Sequence, residues 1–199
     1  MKSVIILGDG MSDEPQPDHG GRTPLMMANK PSIDRVAREG CMGRLATIPD
    51  GLGAGSDVAN LAVLGYDPTR LQNGRAVLEA ASMGVNLAPD DVALRLNLIS
   101  TSDGRIRDHS SGHVTTEEAE RIVRDLDTAF GARKGSLPVS FHPGVSYRHL
   151  LVLHGAWADP ALDCAPPHDH VGETVADLLP KATSPEAEAA ARRLREILA

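Results

Sequence analysis

Gly53-Ala54-Gly55-Ser56-Asp57-Val58-Ala59-Asn60 decides the reading of this chain, together with an apolar run near its start that leads to Asp9. Gly53 and Gly55 permit backbone angles closed to other residues. They deliver a serine to the first turn of an apolar helix that continues through Leu61-Ala62-Val63-Leu64. A helix start presents free N–H groups and the positive end of a dipole, so it favours an anion. A hydroxyl placed there can become an alkoxide or carry a phosphoryl group, above all beside a metal ion. The run Ser3-Val4-Ile5-Ile6-Leu7 is short, apolar and followed by glycine, and it fits a buried parallel strand. Asp9 then falls at the C-terminal end of that strand, where α/β sheets place their ligands. The plainer alternatives are an N-cap at Gly-Ser-Asp and a simple turn at Gly-Asp-Gly. These two segments alone leave a metal-assisted phosphate site and the plain cap both open.

Length and composition bound the rest. A chain of 199 residues is one large domain or two small ones, and 41% apolar residues suffice for a core. The charged fraction of 24% is that of a folded protein. Cys41 and Cys164 do not make a disulfide framework and fit reduced thiols in a cytoplasmic protein. The apolar runs fall short of the roughly 20 residues of a membrane helix. One lysine and then a strand at the N-terminus do not resemble a signal peptide. A net charge of −7 argues against general nucleic-acid binding. A phosphorylated substrate would depend on local arginines rather than on the overall field.

Elements follow along the chain. Asn29-Lys30-Pro31 opens a helix over Ser32 to Glu39, with Ile33, Val36 and Ala37 on one face and Gly40 as its stop. Gly43 to Ile48 and Val92 to Ile99 alternate as strands. Gly65-Tyr66-Asp67-Pro68 ends the helix that Ser56 begins, and Ser102-Asp103-Gly104-Arg105 reads as a hairpin turn. Thr115-Thr116-Glu117-Glu118 has capping-box spacing and introduces an amphipathic helix carrying Ala119, Ile122, Val123, Leu126 and Phe130. Val139-Ser140-Phe141 and His149 to Leu153 are further strands. Ser184-Pro185-Glu186 opens a helix to Leu198.

Several longer blocks carry a resemblance. Leu7-Gly8-Asp9-Gly10-Met11-Ser12-Asp13-Glu14 and Gly55 through Pro68 resemble the archaeal-type cofactor-independent phosphoglycerate mutases. So do Leu78 through Val85, Ser111-Gly112-His113-Val114-Thr115-Thr116-Glu117-Glu118, Pro143 through His149, and Pro166-Pro167-His168-Asp169-His170. The blocks stand in the family's order and cover nearly the whole chain. The resemblance implies an α/β fold of the alkaline-phosphatase-like superfamily: a three-layer catalytic domain interrupted by an inserted α/β substrate-binding domain. On that pattern residues 1–70 are the first part of the catalytic domain. Residues 71–180 are the insert, with hinges near Pro68 and Pro180, and residues 181–199 lead back.

The resemblance also implies a chemistry. Two divalent cations would sit at the sheet edge, manganese first in expectation, with magnesium, zinc or cobalt as alternatives. Asp9 and Ser56 would be ligands. Ser56 would take the phosphoryl group of 3-phosphoglycerate as a phosphoserine and return it as 2-phosphoglycerate, without 2,3-bisphosphoglycerate. Arg75, His113 and Arg148 would hold the substrate, since a guanidinium binds carboxylate and phosphate bidentately. Arg107 and Asp108, beside His109, could line the cleft as well. His168 and His170 have the residue type of metal ligands, but the family's metal histidines come from elsewhere. Small phosphoglycerates are thus the expected partners, with no nucleic acid and no membrane, and a homo-oligomer is left open.

Members of the family run to roughly twice this length, as two ordinary domains do. Their remaining metal ligands lie in the second half, so the sequence resembles the N-terminal half only. It is expected to be a fragment of a longer enzyme or a truncated homologue. Two other functions share the pattern: a different phosphotransferase on the same scaffold, such as one acting on homoserine, and a non-catalytic binding module.

Overall fold

The computed structural model describes residues 2–53, 55–70, 74–131 and 137–198. Ala54, part of the segment quoted above, lies outside the described residues. The strands are β1 (Val92–Asn97), β2 (Ser100–Ser102), β3 (Arg105–Asp108), β4 (Val139–Val145), β5 (Arg148–Leu153), β6 (Leu162–Asp163) and β7 (Lys181–Ala182). The helices are α1 (Pro24–Met27), α2 (Pro31–Glu39), α3 (Ser56–Val63), α4 (Gly74–Met83), α5 (Thr116–Phe130) and α6 (Glu188–Leu198). The fold is mixed α/β, as the sequence implies.

The core forms around an antiparallel sheet in the order β1-β5-β4. Its middle strand is the unbroken apolar run Leu150-Leu151-Val152-Leu153, buried on both sides. A run without polar alternation is what a central strand covered on both faces needs. Leu151 and Leu153 point to one face with Val139 and Phe141, and they pack against Val123 of α5 and Ala190, Leu194 and Ile197 of α6. Leu150 and Val152 point to the other face, against Ala76 and Ala80 of α4. The alanines let the α4 backbone come close to the sheet. Side chains alternate along a strand, so one register fixes both faces at once. That register pairs Val92 and Val139 with the two sides of Leu153.

Local signals set the helix ends. Thr115 Oγ1 accepts from the Glu118 N–H, and Glu118 Oε2 accepts from the Thr115 N–H, which completes the expected capping box of α5. α3 ends in a Schellman motif: Tyr66 N–H donates to Leu61 O, and Gly65 N–H to Ala62 O. Gly65 has φ 84° there, a left-handed angle that suits glycine. α6 starts at Glu188, later than the sequence suggests. Ser184 Oγ instead accepts from the Ala187 N–H in a turn that precedes the helix. Ile122, expected on the apolar face of α5, is 45% exposed. α4 has no counterpart among the elements read from sequence.

Two expected strands do not form. Ser3–Leu7 and Gly43–Ile48 belong to no strand, and Val4 and Ile6 are 83% and 91% exposed. A strand exists through its ladder with a neighbour, and no described strand lies beside either segment. Among the described residues the buried hydrophobic side chains of the core fall between Ala76 and Ile197, with Pro68 the buried residue before them.

Candidate functional site

Ser56 is the first residue of α3, and Gly55 occupies the N-cap. Glycine has no side chain with which to cap, and α3 has no side-chain cap bond. Ser56 is exposed. The hydroxyl therefore stands at the positive end of the helix without serving as its cap, contrary to the plain alternative. The role of Gly55 is also different from the one expected. Its φ of −136° and ψ of 147° are open to any residue. Glycine is favoured there by space: a Cβ would run into the Asp57 carboxylate, which would have to turn away.

Arg75 shares a concavity with Ser56. The hollow between α3 and α4 holds about 330 Å³ and is lined by Ser56, Asp57, Asn60, Arg75, Glu79 and Ser82 among others. Arg75 sits on the first turn of α4 rather than in a surface turn. Its Nε lies 3.1 Å from Glu79 Oε1, and Arg95 Nε lies 3.0 Å from the same oxygen. The Arg95 contact is an ion pair without the alignment of a hydrogen bond. Glu79 thus holds the Arg75 guanidinium at the wall of the hollow and also pairs with Arg95 beyond that wall.

Asp9 stands in the turn Gly8–Met11, which Gly10 closes at φ 70°. The side chain is exposed. Among the described residues no three His, Cys, Asp or Glu side chains converge on a point that could hold a metal ion. Asp9 and Ser56 by themselves do not fit the two-cation site that the resemblance implies.

His113 and Arg148 meet through their loops. The turn between β4 and β5 is docked on the start of α5: Ser146 N–H donates to Thr116 Oγ1 at 3.1 Å, and Ser146 Oγ donates to Val114 O at 2.8 Å. His113 precedes Val114, and Arg148 follows Ser146 by two residues, so both segments border one surface. The Arg148 guanidinium carbon lies 5.0 Å from the Tyr147 ring centroid. His109 is edge-on to Tyr147 at 6.0 Å and to His168 at 6.4 Å. Tyr147 thus adjoins the predicted Arg148, with His109 and then His168 next to it; the sequence reading gave none of them a substrate role and took His168 only as a metal-ligand residue type. Tyr147 and His168 do lie inside the quoted blocks, whereas His109 stands two residues before one. Among the described residues no hydrogen bond or ion pair links this surface to the hollow holding Ser56 and Arg75.

Backbone strain marks the same surface. Ser111, Gly112 and His113 have φ of 53°, 67° and 58°, three left-handed residues in a row. Two of them are not glycine, which costs on the order of 1–2 kcal/mol each. Asp108 holds the loop: its Oδ1 accepts from Ser110 N–H and Ser110 Oγ, both at 2.7 Å, and its Oδ2 accepts from Gly112 N–H at 2.9 Å. The Ser110 bonds, chiefly the backbone one, hold the Asp108 carboxyl below the usual carboxylate range.

A mixed α/β frame with helices on both sheet faces and a serine heading an apolar helix is the class defined so far. The family model described as 2,3-bisphosphoglycerate-independent phosphoglycerate mutase matches residues 37–199. A relative of that name from Methanosarcina barkeri is 49% identical over 180 residues, which is 90% of this chain and 44% of the relative. A probable mutase of the same name from Geobacter sulfurreducens is 43% identical over 190 residues, covering 94% of this chain and 46% of its own length. Among solved structures, the cofactor-independent phosphoglycerate mutase of Thermoplasma acidophilum aligns with TM-score 0.53 and 27% identity, over 95% of this chain and 48% of that one. The chain belongs to the 2,3-bisphosphoglycerate-independent phosphoglycerate mutase family. It spans under half the length of the curated relatives it matches. Among the described residues no helix is long and apolar enough to cross a membrane.

Proposed function

We propose that this chain is the Ser56-bearing portion of a phosphoglycerate mutase that interconverts 3-phosphoglycerate and 2-phosphoglycerate without 2,3-bisphosphoglycerate. The carrying observation is Ser56, uncapped at the head of α3 in a hollow it shares with Arg75. Ser56 Oγ attacks phosphorus, the bond from phosphorus to the substrate oxygen breaks, and glycerate leaves as the alcohol. The α3 N–H groups face the phosphoryl anion. Glycerate then turns, and its other hydroxyl attacks the phosphoserine, which restores Ser56. Arg75 faces the phosphoryl end, while Arg148 and His113 hold the carboxylate during the turn. Of the described residues Asp9 and Ser56 are proposed as cation ligands, and one carboxylate with one serine oxygen holds no divalent cation tightly.

The same reading carries a domain proposal. Residues 1–70 belong to an alkaline-phosphatase-like catalytic domain, 71–180 form the inserted substrate domain, and 181–199 lead back. The lack of buried core side chains before Ala76, among the described residues, supports the first boundary, as does the exposure of Val4 and Ile6; at the second, Ala190, Leu194 and Ile197 of α6 pack into the core of the 71–180 sheet.

The test uses the full-length protein with 3-phosphoglycerate and manganese, quenched and mapped by mass spectrometry. Phosphate on Ser56 is the expected result. Ser56→Ala should remove both the label and mutase turnover with the circular dichroism unchanged. Normal turnover by that variant would overturn the reading.

A further inference from the structure

The densest polar cluster away from Ser56 lies on the sheet face that α4 covers in part. Register puts it there. β1 and β5 pair Val92 with Leu153, so the next rung sets Asp91 opposite His154. β4 pairs Ser140 with Val152 and His142 with Leu150, so Ser140 and His142 share the Leu150–Val152 face. His154 continues β5 by one residue, with its N–H donating to Pro138 O at 3.0 Å. The result is a chain of contacts. Ser140 Oγ lies 2.7 Å from His154 Nε2, and His154 Nδ1 lies 3.0 Å from Asp91 Oδ1. His142 Nε2 lies 2.8 Å from the same Ser140 oxygen.

The network admits one neutral assignment. Ionised Asp91 only accepts, so His154 Nδ1 carries a hydrogen and Nε2 is bare. Ser140 Oγ–H then donates to His154 Nε2. With its one proton used, Ser140 Oγ accepts from His142 Nε2–H. Asp91 is well fixed for this duty: its side chain is 7% exposed, and its Oδ2 accepts from Ala88 N–H at 2.9 Å. His154 is 36% exposed, and Ser140 and His142 are half-buried, so the oxygen end of the chain is open while the carboxylate end is closed. A purely structural staple needs no such gradient. A serine, an imidazole on its oxygen and a buried carboxylate on the far ring nitrogen are the parts of an activated nucleophile.

We infer that Ser140, His154 and Asp91 form a second nucleophilic site, independent of Ser56, that takes acyl groups from small activated carboxylic esters and passes them to water. Ser140 Oγ attacks the carbonyl carbon, and its proton moves to His154 Nε2. Asp91 steadies the imidazolium. His142 Nε2–H is the donor the cluster offers to the oxyanion. The carbon–oxygen bond to the alcohol breaks, and the alcohol leaves with the proton from His154. Water then attacks the acyl-serine, gives its proton to His154, and the carboxylic acid departs as Ser140 Oγ takes that proton back. Neither oxidant nor metal enters the balance.

The test treats the full chain with an alkyl fluorophosphonate. Ser140 Oγ bonds to phosphorus, the phosphorus–fluorine bond breaks, and the serine proton leaves with fluoride. Peptide mapping separates an adduct on Ser140 from one on Ser56. One adduct on Ser140 is expected, with p-nitrophenyl acetate hydrolysis that falls at least about tenfold in Ser140→Ala, His154→Gln and Asp91→Asn. Circular dichroism and melting temperature confirm that each variant is folded. A folded wild-type chain that gains no Ser140 adduct overturns the inference, whatever the variants do. So does a folded His154→Gln variant that labels at the wild-type rate.

Discussion

Arg148 and Arg193 sit in opposite environments, and substitution separates their duties. Arg148 is exposed, with its guanidinium beside the Tyr147 ring. As the proposed carboxylate ligand, its replacement by alanine should cost about 2–3 kcal/mol of transition-state binding, or roughly 30- to 150-fold in kcat/KM. The melting temperature should stay put. An unchanged kcat/KM in the full-length enzyme would remove Arg148 from the site. Arg193 is 8% exposed, and its Nη2 donates to Phe130 O, the end of α5, at 2.8 Å. Arg193→Ala leaves that carbonyl without its donor and removes a packed stem. The expected loss is about 2–3 kcal/mol of stability, read as a lower urea midpoint. A midpoint within error of wild type would show that water replaces the bond.

At the scale of the element, α5 joins a local signal to a distant contact. The Thr115–Glu118 box ends the helix cleanly, and the next residue, Thr116, accepts the Ser146 N–H from the β4–β5 turn. Fraying at this end would therefore reach the turn that precedes Arg148. Thr115→Ala should cost about 1 kcal/mol of stability. Amide exchange at Ser146 should speed up by more than at Leu151, in the middle of β5. Equal acceleration at both would mean that the cap acts only through global unfolding. The bulge in β4 matters here too. A Cβ at Gly144 would collide with the Arg148 backbone oxygen, and Gly144 N–H donates to His149 Nδ1 at 3.0 Å.

For the whole molecule, buried histidines set the response to acid. His149 is 1% exposed, and burial holds it below its ordinary value of 6.5. Burial also pushes His142 down, against the pull of the Asp127 carboxylate, with His154 adding to the lowering. A depressed histidine takes up its proton in the unfolded chain first. Its share of stability is therefore complete above about pH 6.5 and is lost as pH falls through the folded value. For His149 the slope is at most about 1.4 kcal/mol per pH unit. Carboxylates continue the loss at lower pH. Burial pushes Asp91 up, but bonds from Ala88 N–H, His154 and Gly155 N–H outweigh it and leave the group lowered. Denaturant titrations at pH 7.5, 6.5 and 5.5 should show falling stability. His149→Gln should flatten the upper part of that fall, and an equally steep limb in the variant would assign it to other groups.

The sequence alone determined what depends on neighbours a few residues away. Ser56 at the head of α3, the glycine stop at Gly65, the α5 capping box and the strands at Val92, Val139 and His149 were all legible in this way. Caps, turns and side-chain periodicity are local hydrogen bonds and local spacing, so residue type carries them. The candidate site was legible in part: Ser56 and Arg75 do line one hollow, and His113 and Arg148 do border one surface. The tertiary structure decided the rest. Ser3–Leu7 has a strand's composition but no described partner, and a strand requires a partner. His109 and His168 join Tyr147 only because separate loops converge. Asp91 and His154 are 63 residues apart, and only the register of β1 against β5 brings them within 3.0 Å. Such contacts are fixed by the pairing of distant strands, and no short stretch of sequence encodes that pairing.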